Sequence, residues 1–202
     1  MIYLLRHGET EWNREERIQG HLDSALTAAG EAQARHMGLA LRTLIADFAG
    51  WKVVASPLGR ARRTAEIAAE AMDLDPATIA LDDRLKEIAY GLWEGLTGAE
   101  AKRRWAAEWR AHQRDAWNTA PPRGESMAML VARARAFLDE VEGRKLVVVA
   151  HGHLNMALRG SYAGLSPDGV MGLAVPASRT EFYCLHGGRF QTLDARDFHN
   201  GQ

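Results

Sequence analysis

Two residues near the start of the chain could do chemistry together, Arg6 and His7. They follow a short apolar run at residues 2–5 and precede Gly8. The run is too short for a core helix and suits a buried strand. The pair therefore sits where a strand emerges, and Gly8 lets the backbone turn or approach a ligand closely. A guanidinium binds phosphate oxygens in a fork, and a neutral imidazole can attack phosphorus. Phosphoryl chemistry is one reading; an Arg–His pair exposed at a strand end is the other, and the motif alone does not choose. Two further strand-like runs also end in polar residues. Residues 52–55 lead into Ser56-Pro57, and the apolar run Lys145–Ala150 leads into His151-Gly152-His153. Behind Ser56-Pro57 lie Arg60, Arg62 and Arg63, near the start of a helix. Cations there are unfavourable unless an anion visits. Arg62 and Arg63 read as ordinary solvated residues.

The elements that must position these groups follow from periodicity. Thr27 is a plausible N-cap, and Ala34, Met37, Leu41, Leu44 and Phe48 recur at three and four, predicting an amphipathic helix. Ser56 as N-cap and Pro57 at the first helical position open a second helix, with Leu58, Ala61, Ala65, Ala68 and Met72 as its stripe. Thr97 and Glu100 form a capping box, and Ala101, Trp105 and Trp109 carry a helix to about Arg114. Residues 122–126 open another, with Met127, Leu130, Ala134, Phe137 and Val141 on one face. A helix after His151 runs through Ala157 and Leu158, and Gly187-Gly188 joins two strands as a hairpin. Strands alternating with helices predict an α/β fold: a three-layer sandwich with a mostly parallel central sheet flanked by helices on both faces. In such sheets ligands bind beyond the carboxyl ends of the strands. Parallel strands would bring all three polar strand ends to one edge.

Composition narrows the class. A length of 202 residues suits one domain, 1–202. With 47% hydrophobic residues a packed core is feasible, and the net charge of -1 gives no support for binding nucleic acid or an anionic membrane. Cys184 is the single cysteine, so neither an internal disulfide nor a cysteine metal cluster is available. No apolar run approaches a membrane span, and no secretion signal is read at the N-terminus, so a cytoplasmic enzyme is expected. Oligomeric state is not readable.

Arg6-His7-Gly8-Glu9-Thr10-Glu11-Trp12-Asn13 resembles the Arg-His-Gly-x-Thr-x-x-Asn signature of the histidine phosphatase (phosphoglycerate mutase-like) superfamily, which fixes five positions in eight. The resemblance continues at several points as far as His151. Gly20, Asp23, Leu26 and Thr27 match the following loop, with Ala25 where the family commonly has proline, a change that touches loop rigidity more than chemistry. Residues 56–65 resemble the family's second arginine motif and single out Arg60. Residues 85–95 resemble its Leu-x-Glu-x-x-x-Gly-x-Trp-Glu-Gly stretch, which puts Glu87 at the proton donor. By residue type alone Glu87 is one of many solvated carboxylates.

The resemblance implies a metal-independent phosphomonoesterase without a cofactor, acting on a small phosphorylated metabolite through a phosphohistidine. His7 is the expected nucleophile. Arg6, Arg60 and His151 are expected to hold the phosphoryl oxygens, with Asn13 and Gly152 also binding substrate, and Glu87 to exchange the proton. His151 and His153 could instead form a metal pair, but no third ligand pattern accompanies them. Two other functions stay open: a 2,3-bisphosphoglycerate-dependent mutase, and a phospholigand-binding protein without turnover. Residues 96–123 are shorter than the insert such mutases usually carry, which favours hydrolysis. That stretch holds Lys102, Arg103, Arg104, Arg110 and Arg114 among its tryptophans. It reads either as a helical lid bringing extra contacts to substrate, or as a helix packed by its tryptophans with its charges in water.

Overall fold

Alternation within the apolar runs decides the architecture. In the computed structural model, which describes residues 1–176 and 178–198, six strands form one sheet in the order β3-β2-β4-β1-β5-β6. They are β1 (Ile2–Arg6), β2 (Trp51–Ala55), β3 (Ala80–Leu81), β4 (Lys145–Ala150), β5 (Glu181–His186) and β6 (Arg189–Asp194). The first four are mutually parallel. β5 joins β1 antiparallel and β6 closes the hairpin on it, so the sheet is mixed with a parallel majority. Side chains alternate across each strand. Ile2, Leu4, Leu146 and Val148 face one core; Tyr3, Leu5, Val147 and Val149 face the other. Burial on both faces is why these runs read as continuously apolar.

Eight α-helices are present among the described residues: α1 (Glu11–Arg14), α2 (Ala28–Leu44), α3 (Gly59–Ala71), α4 (Gly98–Arg104), α5 (Ala106–Arg114), α6 (Met127–Glu140), α7 (Gly152–Tyr162) and α8 (Pro167–Met171). Met37, Leu41, Ala61, Ala65 and Ala68 from α2 and α3 cover one face of the sheet. Leu130, Ala134, Phe137, Leu154 and Leu158 from α6 and α7 cover the other. The expected α/β three-layer arrangement is present.

Local readings differ in several places. α2 ends at Leu44 with Ile45 extended, so Phe48 lies beyond the helix, though it still packs on the same core. α3 begins at Gly59 rather than at Pro57, and its N-cap Leu58 offers no side-chain cap. The Asp23 carboxylate takes that role from a distant loop, accepting the N–H groups of Gly59 and of Arg60, the latter at 3.2 Å. The single helix expected to reach Arg114 is two, broken at Trp105, whose φ and ψ are -128° and 55°. α1, β3 and α8 were not anticipated; all three are too short for a periodic signal.

Close backbone approach fixes the loop after β1. A Cβ on Gly8 would lie 2.2 Å from the Gly30 carbonyl oxygen, and one on Gly30 2.1 Å from that of Glu9. Only glycine at both positions lets this loop lie directly on α2.

Candidate active site

The carboxyl ends of β1, β2 and β4 meet at one edge, and their following residues converge. Arg6 and His7 leave β1, Ser56 leaves β2 with Arg60 in the first turn of α3, and His151 leaves β4. Glu87 arrives from the irregular stretch after residue 85. Beside this edge lies a cavity of about 410 Å³, with Arg6, His7, Asn13, Arg60 and Glu87 on its wall. Five of the seven residues expected from sequence therefore share one concave surface. His151 and Gly152 are not on that wall. The His151 ring stands one layer behind, 5.2 Å from the His7 ring centroid. Gly152 backs Arg6: a Cβ there would sit 3.3 Å from the Arg6 Cζ.

His7 is 3% exposed, and its Nδ1 lies 2.8 Å from the Gly8 carbonyl oxygen. A carbonyl only accepts, so Nδ1 carries the hydrogen and Nε2 keeps its lone pair. Burial, the His151 ring and the cations of Arg60, Arg179 and Arg6 hold the imidazole well below its ordinary pKa of 6.5. It is a neutral, oriented base. The bend beneath it is held by the Gly8 N–H, which donates to Thr64 Oγ1 at 3.1 Å.

His151 is fully buried and its Nε2 meets Ser56 Oγ at 2.8 Å. Burial and Arg60 keep it well below its usual pKa. Arg60 is 2% exposed. It donates to the carbonyls of Leu22 and Gly20, each at 2.7 Å, and to Asp23 Oδ1 at 3.0 Å. The guanidinium thus shapes the loop at residues 20–23 while its Nε stays buried without a partner. Arg6 donates to the Pro176 carbonyl at 2.9 Å, and its Nε is likewise buried and unpartnered. Unsatisfied buried donors are costly. Two of them, both cationic, beside a neutral imidazole are suited to an oxyanion.

Glu87 Oε1 accepts the N–H groups of Ile88 and Leu154, each at 3.0 Å, and Oε2 accepts that of His153 at 3.3 Å. Burial pushes its pKa up, but His153 and the backbone N–H groups outweigh that and leave it well below the usual 4.5. The resting side chain is a carboxylate, whereas the proton-donor reading requires the acid. Asn13 Oδ1 accepts from the Thr10 N–H and hydroxyl, at 3.1 and 3.0 Å, which turns the amide and leaves its N–H groups for other partners.

Residues 2–195 match the model of the histidine phosphatase superfamily, branch 1. The chain belongs to that superfamily. Among relatives, it is 40% identical over 185 residues to a protein of Erwinia tasmaniensis named "Probable phosphoglycerate mutase GpmB", covering 88% of this chain and 78% of that one. Among solved structures, it resembles the mycobacterial glucosyl-3-phosphoglycerate phosphatase in complex with VO3, with a TM-score of 0.77 and 29% identity over 95% of this chain and 96% of that one. Bacillus stearothermophilus YhfR gives a TM-score of 0.74 and 30% identity over 96% and 95% of the two chains. Phosphatases among its solved neighbours agree with a phosphoric monoester hydrolase.

Two residues of this histidine phosphatase site have roles that the sequence reading did not give. Ser56 was read as a helix cap, yet its hydroxyl meets His151. Arg179 lies in the irregular segment before β5, and its Nη1 is 3.5 Å from the His7 carbonyl oxygen. Burial and the neighbouring Arg6 push its pKa down to about 9. Nothing local marks it; only the return of β5 beside β1 brings it there. The segment 96–123 supplies Gly98, Trp109, His112 and Gln113 to the cavity wall, but none of its lysines or arginines. Among the described residues, no group of three or more histidine, cysteine or acidic side chains is placed to hold a metal, and no helix is long and apolar enough to cross a membrane.

Proposed function

We propose that this superfamily member is a metal-independent phosphomonoesterase that works through a phosphohistidine at His7 on a small phosphorylated metabolite. One observation carries the reading: a neutral imidazole, with its lone pair on Nε2, stands among buried guanidiniums at a cavity wall. The Nε2 lone pair attacks phosphorus in line, and the bond to the leaving oxygen breaks with its electron pair going to that oxygen. The ring becomes cationic, and its Nδ1–H remains donated to Gly8. Arg6 and Arg60, with the Asn13 amide, hold the non-bridging oxygens; their fixed positive charge plays the part a metal would. His151, itself neutral and fully buried, packs beside His7.

Glu87 manages the proton. A bound phosphoryl group places negative charge beside its carboxylate and raises its proton affinity. A phosphomonoester binds with its own proton at a pH near its second pKa of about 6. Glu87 takes that proton and passes it to the leaving oxygen. Water then attacks the phosphohistidine, giving its proton to Glu87, while the electron pair of the N–P bond returns to Nε2.

A second reading is supported by the mutase name of relatives about 40% identical. It shares the first step and differs in the acceptor, a second substrate oxygen in place of water. Incubation with labelled phosphomonoesters, with chelator present, should label His7 and release inorganic phosphate, and His7→Ala should abolish both. Label elsewhere, or dependence on an added divalent ion, would overturn the reading. Interconversion of 2- and 3-phosphoglycerate with little phosphate release would favour transfer.

A further inference from the structure

Beyond the phosphoryl end, the cavity wall changes character. Ile18, Tyr90, Trp93, Trp109 and His112 line it. Trp93 and Trp109 pack at 4.9 Å between ring centroids, tilted by 44°, and His112 meets the Trp93 ring edge-on at 5.3 Å. His112 Nδ1–H donates to the Thr119 carbonyl at 2.7 Å, which holds that ring against the indole. Gly98 lies near the rim of the Trp109 ring: a Cβ there would be 3.5 Å from Cη2. The wall is therefore preformed.

Its charges are equally specific. Among the described lining residues outside the phosphoryl end, Arg17 is the one arginine. Its guanidinium donates to Glu15 at 2.6 Å and to the Gly95 carbonyl at 2.9 Å, and lies 3.7 Å from Glu100. Lys102, Arg103, Arg104, Arg110 and Arg114 are exposed and do not reach the cavity. Glu16 adds a negative charge to the wall. A carboxylate on the leaving group would find an already paired cation and a like charge. The Trp93 indole N–H, in contrast, is buried without a partner. A donor of that kind favours an acceptor oxygen on whatever lies against it.

We infer that the leaving group is a neutral, hydroxyl-bearing ring of sugar type, seated on the Trp109 and Trp93 wall, and not an acidic three-carbon acid. This rests on the hydrolase reading and narrows its substrate class. Burying the C–H face of such a ring on an indole should raise kcat/KM by roughly several-fold. A carboxylate left unpaired beside Glu16 loses further.

The test is kcat/KM for phosphate release from glucose 6-phosphate, glycerol 3-phosphate, 3-phosphoglycerate and phenyl phosphate. The sugar should exceed glycerol 3-phosphate by roughly several-fold and 3-phosphoglycerate by more. Trp109→Ala should raise KM for the sugar, lowering its kcat/KM several-fold more than for glycerol 3-phosphate. Trp109→Phe, which keeps a ring on the wall, should restore much of it. Glu16→Gln should improve 3-phosphoglycerate selectively. Preference for 3-phosphoglycerate over the sugar would overturn the inference, as would equal losses for all substrates in both Trp109 variants. Failure to release phosphate from any of the four would count against the hydrolase reading itself.

Discussion

The Glu87 carboxylate closes the N-terminus of α7, accepting the Leu154 N–H at 3.0 Å. His151 occupies the N-cap position of that helix and makes no side-chain cap bond. A carboxylate from another part of the chain thus does what a capping side chain would do, leaving the His151 ring to Ser56. The arrangement ties the proton-handling group to the helix that begins at the site.

Glu87→Gln keeps the shape and removes both the charge and the acid–base function. It sets an amide N–H₂ against helix N–H donors, so stability should fall by about 1–3 kcal/mol. Turnover of alkyl phosphates should fall by about 100-fold or more. An aryl phosphate, whose oxygen leaves without a proton, should be spared in its first step and show a burst with accumulated phosphoenzyme. Equal losses for aryl and alkyl substrates in the phosphoryl-transfer step would refute the assignment.

Ser56→Ala removes the hydrogen bond at His151 Nε2. Both ring nitrogens are then buried without partners, since Nδ1 has none. The expected cost is about 1–3 kcal/mol of stability, with a lower kcat because the ring behind His7 loses its fixed orientation. Denaturant unfolding and initial rates measure the two effects. If neither changed, His151 would be held by other contacts.

The two buried histidines predict an acid-sensitive fold. Both have pKa values well below 6.5 in the folded state. A depressed histidine pKa means that the unfolded chain binds protons first. They have no effect on stability above pH 6.5, and stability falls as pH drops below it. Each histidine adds a slope of up to about 1.4 kcal/mol per pH unit. Glu87, depressed below 4.5, adds a further loss only at lower pH. Urea midpoints at pH 7.5, 6.0 and 5.0 should decline, and His7→Asn should flatten the decline. A midpoint constant from pH 7.5 to 5.0 would contradict the buried neutral state.

Gly30→Ala places a methyl against the Glu9 carbonyl oxygen and must push the loop after β1 off α2. Thr10, Asn13 and His7 ride on that loop. Overpacking of this kind typically costs about 1–3 kcal/mol. The thermal midpoint should drop and KM for substrate should rise, because Asn13 moves with the loop. An unchanged midpoint would show that the loop yields freely.

Much of the fold was legible from local pattern. β1, β2 and β4 announced themselves as short apolar runs ending in polar residues, and Thr27 and Thr97 cap helices where the sequence places caps. Those signals survive because burial on both sheet faces, helix amphipathicity and capping are local properties. The edge shared by Arg6, Ser56 and His151 followed once the strands were taken as parallel. Glu87 was legible through the family motif and not through its residue type, and the same resemblance singled out Arg60 from its neighbours Arg62 and Arg63.

What sequence alone determined, then, is the order of elements and the chemical types brought to one sheet edge. Tertiary structure alone decided the rest. Only contact between the loop at residues 20–23 and α3 shows that Arg60 serves Gly20, Leu22 and Asp23 as well as the cavity. Only the packing of α7 shows Glu87 as an ionised cap. Only the β5 return brings Arg179 to His7. The physical reason is common to all three. Proton affinity and hydrogen-bond geometry depend on groups distant in sequence, and burial sets their strength.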